Sequence, residues 1–364
     1  MKKFLAMAVM SLAAANAMAG VKLVVRSDYV NTPNYDDNAG TEVSGSSLFG
    51  PNVARLYLTG NVGDAVIDSG FNLRAFTPEM SGTTLHKNMT VDSFVDHLFI
   101  AKTYGAWTFA GGKLLTNVGG FEHRAAIDGD TYLISAANGG QAGKAGTADT
   151  FGATGTVVVP ENISGISAAY AINENNKVEV QLLNQTNATT VEAGAVAGNK
   201  QNLVNTAYWG SFVDGMVKPY LNYAFGAADT STAGHEQTFW AAGIRLAPMA
   251  NLGVDVEYIS NTDKVTTGAT SAKDETTSML IEARYAMGSW VPVLKYENSN
   301  VKDADADLFK RSAFAVALEF VPKAEDAFRY HVAYTNVSDD YDAADKVDYS
   351  TIIVGFKYSG DIAK

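Results

Sequence analysis

The groups in this sequence best suited to chemistry are charged side chains on alternating segments. Arg26 shares its side of the chain with Lys22 and Asp28, Arg55 with Thr59 and Asn61, and Arg74 with Asp68 and Asn72. A long connection over about residues 115–162 carries Glu122, Asp128 and Asp130. Charges lining a narrow path with low-dielectric walls act strongly on passing ions and dipoles. In a wide channel the same arginines are ordinary solvated charges, and the connection is an external surface.

Catalytic and metal chemistry finds little support. His86, His97, His123, His235 and His331 form no cluster with ligand spacing. Asp96 and His97 are neighbours, so a regular strand points them to opposite faces and keeps them from one site. His331, between Arg329 and Ala333, is expected to face water. No Ser lies in a Gly-x-Ser-x-Gly elbow, and Gly111-Gly112-Lys113 lacks the first glycine and the hydroxyl residue of a phosphate loop. Asp303, Asp305 and Asp307, or Asp339, Asp340 and Asp342, offer oxygen ligands for a divalent cation or are plain solvated surface. The expectation is no enzyme, no cofactor and no resident metal.

The elements that would position these groups begin with an export signal over residues 1–19: Lys2 and Lys3, an apolar run over 4–15, and Ala17-Met18-Ala19 as the cleavage site. No later stretch approaches the roughly twenty apolar residues of a membrane helix. The remainder, 20–364, reads as one unit without Cys, so disulfides do not stabilise it. The formal charge of −12 becomes about −14 once Lys2 and Lys3 leave, which argues against nucleic acid as a partner.

Period-two alternation recurs along that unit. Val178, Val180 and Leu182 oppose Glu179 and Gln181; Trp240, Ala242 and Ile244 oppose Phe239, Ala241 and Gly243; Phe314, Val316 and Leu318 oppose Ala313, Ala315 and Ala317. Short turns near Gly63, Gly105, 173–176, Gly215, 248–251, Gly288 and 322–326 join seven hairpins. Longer polar connections alternate with them, as at 188–200, 261–275 and 299–310. With strands at 21–29 and 347–358 added, the total is sixteen.

The pattern implies an all-β fold, a transmembrane antiparallel β-barrel of about sixteen strands with short periplasmic turns and long external loops. An even number lets first and last strands pair and leaves no edge in lipid. The segments 91–102 and 107–114 break parity, which points to a bulge. Tyr104, Trp107, Phe212, Trp290, Phe320, Phe328, Phe356 and Tyr358 suit an inner aromatic belt; Phe76, Phe225, Trp240, Tyr258, Tyr296 and Tyr334 suit an outer one.

In its signal, strand number, short inner turns and long third loop, the chain resembles the general bacterial (Gram-negative) trimeric outer-membrane porins. Gly119-Gly120-Phe121-Glu122 has the residue types of that family's third-loop motif in a different order. The resemblance implies a loop folded into the barrel, whose carboxylates Glu122, Asp128 and Asp130 face Arg26, Arg55 and Arg74 across a pore constriction. It also implies a homotrimer, outer-membrane lipids and lipopolysaccharide as surroundings, and passive diffusion of small hydrophilic solutes and ions. The family's last strand ends on an aromatic residue; here residues 359–364 run on past Tyr358.

Two alternatives stay open. A channel selective for sugars or oxyanions would use an aromatic track, for which Tyr220 and Phe239 have the right parity, or a ring of cations. A structural or adhesive barrel would have a blocked lumen and act through its loops. The acidic loop residues lead to an expectation of mild cation selectivity.

Overall fold

The computed structural model describes residues 18–36, 42–73, 79–81, 84–86, 95–139, 162–184, 202–229, 233–323, 327–342 and 346–363. Most of the expected signal segment, Arg74, Phe76 and the connection 188–200 lie outside the described residues.

Two tall strands, β1 (Met18–Asp36) and β2 (Glu42–Val62), are followed by a short one, β3 (Ala65–Asn72). A small separate hairpin is formed by β4 (Glu79–Ser81) and β5 (Thr84–His86). Five strands of modest length come next: β6 (Val95–Tyr104), β7 (Trp107–Leu115), β8 (Asn162–Asn173), β9 (Asn176–Leu183) and β10 (Asn202–Gly210). The remaining wall is taller, with β11 (Val217–Asp229), β12 (Ala233–Met249), β13 (Leu252–Thr267) and β14 (Thr270–Tyr285). It ends with β15 (Trp290–Asp303), β16 (Ala306–Phe320), β17 (Phe328–Tyr341) and β18 (Val347–Ala363).

Sixteen of these strands close into one antiparallel barrel, β3 pairing with β6 and β18 with β1. Closure gives each of the sixteen strands a neighbour on both sides, as a lipid-facing sheet requires. The period-two code sorts the faces: Phe314, Val316 and Leu318 are exposed outward, while Ala313, Ala315 and Ala317 are buried inward. Among the described residues no helix is long and apolar enough to cross a membrane.

Three local expectations are corrected. The connections read at 261–275 and 299–310 are mostly strand, closing in tight turns at Gly268 and at Ala304-Asp305. Polar residues on a strand that runs on past its apolar part look like loop in sequence. The last strand does not stop at Tyr358, because Val24 to Val21 of β1 continue the ladder to Ala363. In β6, Gly70 pairs with His97 but Phe71 pairs with Val95, so Asp96 is bulged out of register. That bulge turns Asp96 to the same side as His97, contrary to the reading of opposite faces.

Candidate pore constriction

The chain between β7 and β8 turns into the lumen, where it is described to residue 139. It forms α1 (Gly120–Ile127) and then a 3₁₀ turn (Ala136–Asn138). Gly119 and Gly120 have φ of 88° and 75°, the left-handed region that glycine tolerates. A Cβ on Gly120 would collide with the Glu257 carboxylate of β13. That carboxylate accepts the backbone N–H groups of Phe121 and of Glu122, the latter at 2.8 Å, and so satisfies first-turn amides that no side chain of the helix caps.

Further wall side chains take up the loop backbone as it crosses. Arg26 donates to the carbonyls of Gly129 (3.0 Å) and Thr131 (2.7 Å) and pairs with Asp28 at 2.8 Å. Arg55 donates to the Ile127 carbonyl and pairs with Asp96 at 2.9 Å. On the opposite wall Glu297 accepts from Ala136 N–H at 2.8 Å, Ser278 from Ala137 N–H at 3.0 Å, and Asn261 donates to the Ala137 carbonyl at 2.8 Å. Each bond meets a buried backbone group that would otherwise lose its partner on leaving water.

The loop carboxylates go to different cations from those the sequence suggested. Glu122, 4% exposed, is bound by Lys295, by Ser135 and by Asn138 (2.6 Å). Lys295 also donates to Thr131 Oγ1 and the Leu133 carbonyl. Asp130 pairs with Arg329 (2.7 Å) and Lys357, while Arg284 donates to its backbone carbonyl. Asp128 accepts from the Tyr57 hydroxyl at 2.7 Å. Lys295, Arg284, Arg329 and Lys357 were not singled out in the sequence, although all four have inward parity on β14 to β18.

Burial raises the Asp130 carboxyl, but the Lys357 ammonium and Arg329 guanidinium outweigh it and hold it below the ordinary carboxylate range. His123, fully enclosed in α1, is pushed down to about 3, first by burial and then by Arg124 and Arg55. Its Nε2 has no hydrogen-bond partner among the described residues.

His331 is not solvated as expected: it is buried against Asp28 (2.8 Å) and the Tyr132 ring. Tyr220 and Phe239, 2% and 1% exposed, are core rather than an open track. Tyr220 donates to the Asn117 carbonyl and packs between Phe121 and Trp209, forming part of the loop's seat.

Beside α1 the lumen keeps a cavity of about 340 Å³ against β1, β2, β3 and β6. Lys22, Tyr57, Asp68, Asp96, His97, Arg124 and Asp128 line it. His97 faces Asp68 at 3.4 Å and stacks on Tyr57. The cavity has carboxylates and cations on its walls, and no cluster able to hold a metal is found among the described residues.

No family model matches the chain, and no curated protein matches it. Solved structures do resemble it. The outer membrane channel DcaP of Acinetobacter baumannii has a TM-score of 0.66 at 14% identity, over 93% of this chain and 96% of that one. An anion-selective porin from Comamonas acidovorans has a TM-score of 0.60 at 11% identity, over 93% and 98%. OmpT, an outer membrane protein of Vibrio cholerae in a trimer form, has 0.57 at 11% identity, over 93% and 98%. The shared feature is the fold, that of the outer-membrane porins and channels.

Proposed function

We propose that this protein is an outer-membrane porin, a water-filled channel for passive diffusion of small hydrophilic solutes and ions. The observation that carries this reading is a closed barrel, apolar outside, whose interior holds a loop seated on wall side chains with a cavity of about 340 Å³ beside it. A soluble barrel would not expose Leu98, Ile100, Phe109, Leu221, Leu294 and Val316 around its outer face. Residues 1–19 act as the export signal, so that the mature chain starts at Gly20.

The constriction lies at the cavity. Asp128 with Asp68 and Asp96 forms its acidic part, and Lys22 and Arg124 its basic part. Arg26, Glu122 and Asp130 hold the loop in place, and Arg55 does both by linking Asp96 to the loop. Three carboxylates, with Asp361 as a fourth on the lining, favour cations mildly. The protein assembles as a homotrimer among outer-membrane lipids and lipopolysaccharide, a reading supported by the trimer form of the similarly folded OmpT.

Planar-bilayer recording tests the channel. Steady conductance steps unaffected by sugars are expected, with a reversal potential of cationic sign in a salt gradient. Sugar block would favour a substrate-selective channel, and absence of steps would favour a structural barrel.

A further inference from the structure

Seven arginines lie among the described residues, and six of them, Arg26, Arg55, Arg245, Arg284, Arg311 and Arg329, pair with a carboxylate at 2.7–2.9 Å. Arg124 has no such partner. It stands on α1 at the edge of the cavity, partly buried, and donates only through Nη2, to the Thr116 carbonyl (3.2 Å) and to Asn117 Oδ1 (3.0 Å). Those bonds fix the guanidinium and leave its other N–H groups without an acceptor among the described residues. Burial lowers its pKa, and the more distant Tyr220, Glu179 and Asp128 offset that only in part. A guanidinium so placed destabilises the fold unless an anion meets it.

The rest of the lining sorts into committed and open charges. Asp96 pairs with Arg55, and Asp128 accepts from Tyr57. Lys22 lies over the Tyr57 ring without a carboxylate partner, Asp68 is met only by His97 at 3.4 Å, and Asp361 is exposed with no ion pair among the described residues. The open cations Arg124 and Lys22 therefore share one cavity with the open carboxylates Asp68 and Asp361. A bare anion meets those carboxylates and a bare cation meets the guanidinium, so each is repelled by part of the lining. A solute with both signs is attracted by all of it.

We propose that the cavity beside α1 binds small zwitterions of the amino-acid type, the carboxylate on Arg124 and the ammonium toward Asp68 and Asp361. This deepens the reading of the cavity as the pore constriction: it rests on that reading for transport and on the cavity alone for binding.

The test is saturation-transfer NMR on the full mature protein in detergent, titrated with L-alanine, with alaninamide, which lacks the carboxylate, and with N-acetylalanine, which lacks the ammonium. Each analogue forfeits one charge-assisted contact, so alanine is expected to bind about tenfold more tightly than either. Arg124→Gln is expected to erase the advantage over alaninamide, and Arg124→Lys to keep part of it. Asp68→Asn with Asp361→Asn, neither of which bonds to the loop, is expected to erase the advantage over N-acetylalanine. Equal binding of all three probes overturns the proposal, as do tighter binding of N-acetylalanine, which marks a plain anion site, and an unchanged order in both variants. In bilayers, conductance without this preference defeats the zwitterion site alone; the preference without conductance supports the site and defeats the channel alone.

Discussion

The Glu257 carboxylate on the barrel wall accepts the backbone N–H of Glu122 at 2.8 Å, and Gly120 lies so close to it that only a glycine fits. The third loop is therefore seated by a strand side chain that takes the place of a helix cap. Glu257→Ala leaves two first-turn amides without an acceptor, a loss of about 1–3 kcal/mol in loop docking. Larger and noisier single-channel conductance is the expected readout, with Gly120→Ala producing the same change through collision. Unaltered conductance in both variants would contradict the seat.

Lys295 and Glu122 form a buried pair at the centre of the loop's attachment. Lys295→Met leaves Glu122 charged and unpaired, at a cost of about 3–5 kcal/mol. Loop release should appear as new protease cleavage sites near 120–135. Adding Glu122→Gln to Lys295→Met should restore part of the protection, because the orphaned charge is gone. Equal cleavage of single and double variants would count against the pair.

Asp128 borders the cavity and is held by the Tyr57 hydroxyl. Asp128→Asn should shift the reversal potential toward anions with little change in barrel stability. Tyr57→Phe removes the tether at about 1 kcal/mol and should give a smaller shift of variable sign between recordings. A reversal potential identical to wild type in Asp128→Asn would remove this residue from the constriction.

Acid should loosen the loop through His123. Its pKa falls from 6.5 to about 3 on burial, so the undocked loop binds a proton that the docked loop refuses. Docking is then at full strength above about pH 6.5 and weakens by at most about 1.4 kcal/mol per unit as pH falls toward 3. Asp130 acts lower: its depressed pKa contributes stability above the ordinary carboxylate value, lost as pH falls through the folded one. Conductance fluctuations recorded from pH 7 to 4 should rise, and His123→Gln should flatten that rise.

Much of the architecture was legible in the chain. Alternation at Val178-Val180-Leu182 or Phe314-Val316-Leu318 is a local property, since successive side chains of any strand face opposite ways. With turn spacing it led to sixteen strands and to inward parity for Arg26 and Arg55. Only the tertiary structure decided which groups meet. Lys295 finds Glu122, Lys357 finds Asp130 and Glu257 finds α1 because strands far apart in sequence converge on one lumen in a particular register. A single bulge at Asp96 reversed its face; the broken parity over 91–102 pointed to a bulge in that segment but not to the residue it would displace. Periodicity belongs to neighbours along the chain, whereas charge pairing belongs to neighbours in space, and closure of the barrel is what creates the second kind.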